Sequence, residues 1–364
     1  MINEKCFSTE WINEKKQSLA SIDPGILEKS IVALALLGHL AESGLAFVFK
    51  GGTSLLLHLN PIRRLSIDID IFCHVAAADL DAVLTGLARL PPFDGYEEQN
   101  RGQRGLPNRR HFKFFYRSPT QQGRRLHILL DVVEESACPV DLVNKPIITP
   151  FIEVEREVLV RVPTIEGLLG DKLTAFAPHT TGVPFQPANG ADCDTMQVVK
   201  QLFDVAELFD HAGDLAAVAR AYDGMLALEN GYRGGGFTRE LTLIDTRDAC
   251  LALAIHGLKG VAPNPDAALL LDGVRRLASH LTRGRFNHDD ARISAGKAAL
   301  LATLLLRNQA GVDPGLLRFR NDVATIEALR SLQIVGPWQA INRLKGANPE
   351  AFFYWQKAAD FDVG

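Results

Sequence analysis

The spacing of apolar residues along this chain changes near residue 164. Before that point, helix-like and strand-like stretches take turns. Residues 25–41 carry the dense apolar pattern of a buried helix, and residues 45–49 form a short apolar run of strand type. Helical spacing returns from about Thr53 to Leu59, and Pro61 ends it. An apolar alternating run follows through Ile67, Ile69, Ile71 and Phe72. Residues 79–90 read as a helix closed by Pro91 and Pro92, and strand-like runs come at 112–116, 126–133 and 154–162. From Thr164 to the end the spacing is helical, broken at 178–190, Gly213, 234–236, 263–265, Pro314 and Pro337. The pattern predicts an α+β chain, with a small mixed sheet in residues 1–163 and a helical domain in residues 164–364.

Two acids sit inside the alternating run. Side chains of a strand alternate faces, so Asp68 and Asp70 would point the same way. Aligned carboxylates among isoleucines are costly to bury unless a cation compensates them. Magnesium held by carboxylates and substrate phosphates is the usual solution. Just upstream lies the small-residue turn Gly51-Gly52-Thr53-Ser54. Lacking a Cβ, its glycines let the backbone approach a phosphate, and a following helix start adds N–H groups and a positive dipole end. An ordinary turn and a solvated strand edge would be the plainer account, but it leaves the apolar setting of the acids unexplained. Two metal ions would need a third carboxylate. Asp131, within the run Leu126 to Val133, offers one, unless it ends its strand and caps a turn before Glu134 and Glu135.

Composition narrows the picture. With 364 residues, 47% of them hydrophobic, the chain can bury a large core and has room for two domains. No apolar run approaches the roughly 20 residues of a membrane helix, and the first residues lack the basic-then-apolar order of a signal peptide. Five scattered cysteines without a C-x-x-C spacing suit reduced core thiols. These features predict a cytoplasmic protein with no membrane partner. The net charge of −4 gives no general attraction to nucleic acid. Locally the balance reverses. No acid occurs between Glu98 and Asp131, whereas Arg101, Arg104, Arg109, Arg110, Lys113, Arg117, Arg124 and Arg125 do. They could grip triphosphate or an RNA backbone, or belong to a hairpin whose aromatics face the core and whose arginines are solvated.

The stretch K-G-G-T-S-L followed by R-x-S-x-D-x-D resembles the AbiEii/AbiGii-type toxins of type IV toxin–antitoxin and abortive-infection systems. These are nucleotidyltransferases of the DNA polymerase beta superfamily. The motif residues here are Lys50, Gly51, Gly52, Thr53, Ser54 and Leu55, then Arg64, Ser66, Asp68 and Asp70. The likeness is dense there, looser to about residue 210, and absent beyond. It implies a polymerase-beta-like fold whose helical domain completes the active-site cleft. It also implies nucleotidyl transfer from a nucleoside triphosphate to an acceptor hydroxyl, with tRNA or another RNA as target and an antitoxin encoded nearby. Magnesium, or manganese in its place, would be held by Asp68, Asp70 and Asp131. Phosphates would meet the Gly51–Ser54 backbone and the Thr53 or Ser54 hydroxyl, with Arg64 and Ser66 beside them.

Two later residues join the expected site. Lys172 shares a helical face with Ile165, Leu168, Leu169 and Phe176, so it must snorkel to water or meet an anion. The resemblance implies a catalytic lysine there. The family's last motif, K/R-D-x-x-D, reads here as Lys200, Gln201 and Asp204, so the first acid is missing. Asp204 is then either catalytic or half of a Lys200–Asp204 pair on the helix surface. Transfer to a protein or a small molecule, or nucleotide sensing without turnover, are the competing readings. The acids at 245–248 and 289–290 read as surface and capping groups, and Phe352-Phe353-Tyr354-Trp355 as the face that docks a last helix.

Overall fold

The computed structural model describes residues 1–19, 22–99, 107–186 and 192–362. They form two units, Met1–Thr164 with Ser279–Gly284, and Ile165–Ala278 with Arg285–Gly364. The first unit opens with α1 (Thr9–Ser18) and α2 (Pro24–Glu42). Asp23 caps α2 by accepting from the Ile26 amide, and Pro24 occupies its first position, where no N–H is needed. Nearly every side chain from Leu27 to Leu40 is buried. By length and composition α2 is apolar enough to cross a membrane, but 72% of its apolar window is buried.

The chain continues through β1 (Phe47–Lys50), α3 (Gly51–Ser54), β2 (Ile69–Cys73), α4 (Ala77–Leu87), β3 (Phe93–Gln99), β4 (Arg109–Arg117) and β5 (Arg125–Val133). The main sheet has the order β1-β2-β5-β4-β3, and β2–β5 is its parallel pair. One face packs Phe49, Ile69, Ile71, Phe112, Phe114, Ile128, Leu130 and Val132 into the core with α2. A separate ribbon pairs β6 (Leu142–Pro146) with β7 (Leu159–Pro163). β3 and β6 carry little apolar alternation, being a bulged edge strand and half of a two-stranded ribbon. Sequence periodicity therefore passes over both. It also extends the acidic strand too far. β2 begins at Ile69, so Asp68 precedes it. Residues 62–65 bond instead to the returning segment, Leu65 N–H to the His280 carbonyl at 2.9 Å and Thr282 N–H to the Arg63 carbonyl at 2.9 Å.

The second unit is helical: α5 (Ile165–Ala175), α6 (Thr195–Phe209), α7 (Leu215–Arg233), α8 (Arg239–Ile255), α9 (Pro265–Leu277), α10 (His288–Leu306), α11 (Val323–Ser331) and α12 (Pro349–Asp362). α10 packs against α6, α8 and α12. Its buried alanines and Gly296 allow close approach, and a Cβ on Gly296 would come within 2.9 Å of Tyr354. Asn287 and Asp290 close its start in a capping box, and Phe352 to Trp355 are buried. Asp245 departs from the surface role expected of it. It is buried, accepts from the His179 amide at 2.9 Å and the Thr180 hydroxyl at 2.8 Å, and burial raises its pKa.

Candidate functional site

A line drawn across the main sheet passes through Lys50 on β1, Asp70 on β2, Asp131 on β5, His111 on β4 and Gln99 on β3, each in register with the next. Residues paired in this way share a face, here the one opposite Ile69, Ile71, Leu130 and Val132. Asp131 Oδ1 lies 2.7 Å from His111 Nδ1. The sheet thus brings Asp70 and Asp131 together. Asp68 sits just outside the strand, and its backbone carbonyl accepts from the Thr53 hydroxyl.

The glycine turn packs directly against this row. Gly51 has φ +77°, a left-handed conformation that glycine adopts without penalty. A Cβ there would fall 2.1 Å from Asp70 Oδ2, so the carboxylate rests on the Gly51 backbone. At Gly52 a Cβ would fall 2.8 Å from Arg64 Nη2 and 3.1 Å from Ser66 Oγ. Each glycine is therefore a place where a side chain of the D-x-D segment leans onto backbone. Gly51–Ser54 form a single helical turn, whose first amides have no partner within it. The predicted hydroxyl contacts to phosphate need correction. Thr53 and Ser54 are fully buried and donate to the carbonyls of Asp68 and Gly51, so their hydroxyls brace the turn.

Among the described residues no group of three or more His, Cys, Asp or Glu is placed to hold a metal ion. Asp70 and Asp131 are a two-carboxylate set, which fits magnesium when substrate oxygens complete its shell.

In the second unit Lys172 on α5 meets α6. Its Nζ donates to Gln201 Oε1 at 3.1 Å and lies 3.5 Å from Asp204 Oδ2. The lysine answers its apolar surroundings with an anion rather than by snorkelling. Asp204 is 0% exposed, so it is a buried group facing Lys172 and not a solvated one. Gln201 supplies a neutral acceptor where the resemblance leads one to expect an acid.

The basic stretch divides by face. Arg101 and Arg104 lie outside the described residues. Arg110 turns toward Glu98 at 2.8 Å and Asp81 at 2.7 Å, which lowers the Glu98 pKa. Arg117 and Arg125 both hold Asp94 at 3.0 Å, and the Arg125 guanidinium lies 4.0 Å above the Phe115 ring. Phe112, Phe114 and Tyr116 are core residues. Sequence reading did not foresee His111 as the partner of Asp131 or Lys50 as the neighbour of Asp70. Period-2 counting along two already recognised strands would have suggested the former.

The family model described as "Nucleotidyl transferase AbiEii toxin, Type IV TA system" matches residues 35–276. No curated protein matches. Similar solved structures include MenT4, a nucleotidyltransferase toxin from Mycobacterium tuberculosis H37Rv, at 15% identity and a TM-score of 0.45, covering 91% of this chain and 94% of that one. JHP933 from Helicobacter pylori is similar at 16% identity and a TM-score of 0.41, covering 80% and 97%. An antigenic nucleotidyltransferase-like protein from Paracoccidioides brasiliensis has 13% identity and a TM-score of 0.36, covering 61% and 99%.

Proposed function

Because this chain belongs to the AbiEii family of type IV nucleotidyltransferase toxins and is a nucleotidyltransferase, we propose that it moves a nucleotide from a nucleoside triphosphate to a hydroxyl of tRNA or another RNA, with magnesium. The observation that carries this reading is the alignment of Asp70 with Asp131 beside a glycine turn against which Asp70 packs. Carboxylates and the first amides of a helical turn are two things such a transfer needs in one place.

Magnesium, or manganese, held by Asp70 and Asp131 with Asp68 close by, would neutralise the triphosphate and make the acceptor hydroxyl a better nucleophile. The chain supplies the rest. The backbone of Gly51 and Gly52 takes the β- and γ-phosphates, and Arg64 and Ser66, adjacent to Gly52, stabilise charge on the departing pyrophosphate. The acceptor oxygen bonds to the α-phosphorus as the bridge to the β-phosphate breaks.

We assign Lys172 and Asp204 to the same activity. A buried ion pair adds little stability over apolar side chains of similar size, so its presence favours a functional lysine.

The RNA acceptor is supported by the face that carries Asp131. Lys113, then Phe115 with His127, then Arg117 with Arg125 follow His111 and Asp131 along the same side of β4 and β5, where Glu97 and Asp94 pair with the cations and would have to yield them to a phosphate backbone. Cations interleaved with an aromatic suit a nucleic-acid strand. The family's type IV character implies a cognate antitoxin, and a reaction that uses triphosphate and tRNA would run in the cytoplasm. Incubating the protein with magnesium, α-labelled triphosphates and cell lysate tests the acceptor. Label that ribonuclease removes and protease leaves is the expected result; the reverse would assign the transfer to a protein acceptor.

A further inference from the structure

His111 is more than 90% buried, and its Nε2 is buried without a hydrogen-bond partner among the described residues. Its Nδ1 meets Asp131 Oδ1 at 2.7 Å. An ionised carboxylate can only accept, so Nδ1 carries the proton and donates. The Asp131 side chain stays 28% exposed. One oxygen is therefore tied to a buried ring while the carboxylate as a whole remains reachable. Asp70, its register partner, has no such ring beside it on β1, where Lys50 stands.

We propose that His111 is a positioning residue. By donating from Nδ1 it fixes the rotation of the Asp131 carboxylate, so that Oδ2 is the oxygen offered to the metal. The inference rests on the nucleotidyl-transfer reading given above. A carboxylate free to rotate on an exposed strand would spend much of its time with neither oxygen aligned. Hydrogen bonds to metal-binding groups from the surrounding shell typically change metal affinity by about 10–100-fold when they are removed. The ring suits this task because β4 fixes its backbone in register with Asp131 and burial restricts its rotation.

The test follows metal-linked stability of the full chain. Melting temperature is recorded against magnesium concentration with an equimolar mixture of the four ribonucleoside triphosphates. His111→Leu is expected to raise the magnesium midpoint by about 10–100-fold. His111→Asn, whose amide nitrogen stands where Nδ1 stood, should restore the wild-type midpoint. His111→Gln places its amide at the Nε2 position and should not, which keeps the comparison available even if the leucine variant fails to fold. His111→Leu combined with Asp131→Asn should shift no further than Asp131→Asn alone. The inference is overturned by a wild-type midpoint in His111→Leu, by equal impairment of His111→Asn and His111→Gln, or by effects that multiply in the double variant. A wild-type protein with no magnesium-dependent shift would overturn the transfer reading and this inference with it. That outcome is distinct, since it is visible before any variant is made.

Discussion

At the scale of single residues, Gly51 and Lys172 bear the sharpest constraints. Gly51 combines a left-handed backbone with contact to Asp70, so a methyl group there meets a double obstacle. Gly51→Ala is expected to cost about 1–2 kcal/mol from backbone conformation alone, with a further loss from displacement of Asp70. Chemical denaturation would read the stability, and triphosphate binding should vanish with it. Gly52→Val, pressing on Arg64 and Ser66, should abolish binding with a smaller loss of stability, because the flexible end of Arg64 can give way. Lys172→Met carries a different expectation from the one its apolar helical face suggests. Sequence alone shows a cation in an apolar arc, whose removal should be harmless to stability. The structure shows Asp204 behind it, fully buried. Removing the lysine takes a cation away from that buried carboxylate, and breaking one side of a buried pair costs up to about 3–5 kcal/mol. Calorimetry should find Lys172→Met strongly destabilised, and adding Asp204→Leu should recover much of the loss without restoring transfer.

At the scale of elements, the sheet rather than the D-x-D run itself assembles the site. The run predicts that Asp68 and Asp70 share a strand and point the same way, but β2 starts at Ile69, and the register sets Asp70 beside Asp131. Long-range strand pairing is what local periodicity does not contain, so periodicity shows Asp131 only as an acid in a strand, and the family resemblance alone sets it with Asp68 and Asp70. Like charges on neighbouring strands disfavour pairing by up to about 1 kcal/mol. Asp70→Ala relieves that repulsion and loses the approach of Lys50. Its melting temperature should stay close to wild type while transfer falls by orders of magnitude. A large drop in melting temperature would show Asp70 to be a structural residue of β2. The glycine turn was legible for the opposite reason: its geometry is local, and Gly51 and Gly52 declare it in four consecutive residues.

At the scale of the whole molecule, the α+β class and the switch to helices were legible because long, strongly periodic helices dominate after residue 164. The return of Ser279–Gly284 to the first unit was not, since a six-residue segment has no periodicity to read. Nor was the burial of Asp245, which depends on a loop folding over its helix. Burial also leaves a mark on the response to acid. Burial holds His288 below the ordinary histidine range, as it does His127. The native state then favours neutral imidazole, while the unfolded chain takes up protons from about pH 6.5 downward. This stabilisation is present above that pH and is lost as pH falls through the folded value. Melting temperature should therefore decline on acidification below about pH 6.5, and His288→Gln should flatten the decline. An unchanged slope would place the acid sensitivity elsewhere.

On the proposed reading, Asp70 and Asp131, aligned on neighbouring strands, carry nucleotidyl transfer. The most direct measurement supplies the purified protein with magnesium, RNA and a triphosphate labelled on either the α- or the γ-phosphate, alongside Asp70→Ala and Asp131→Ala. Label should reach RNA from the α-phosphate only, with pyrophosphate released and both variants inactive. Label arriving from the γ-phosphate, or transfer persisting in either variant, would contradict that reading.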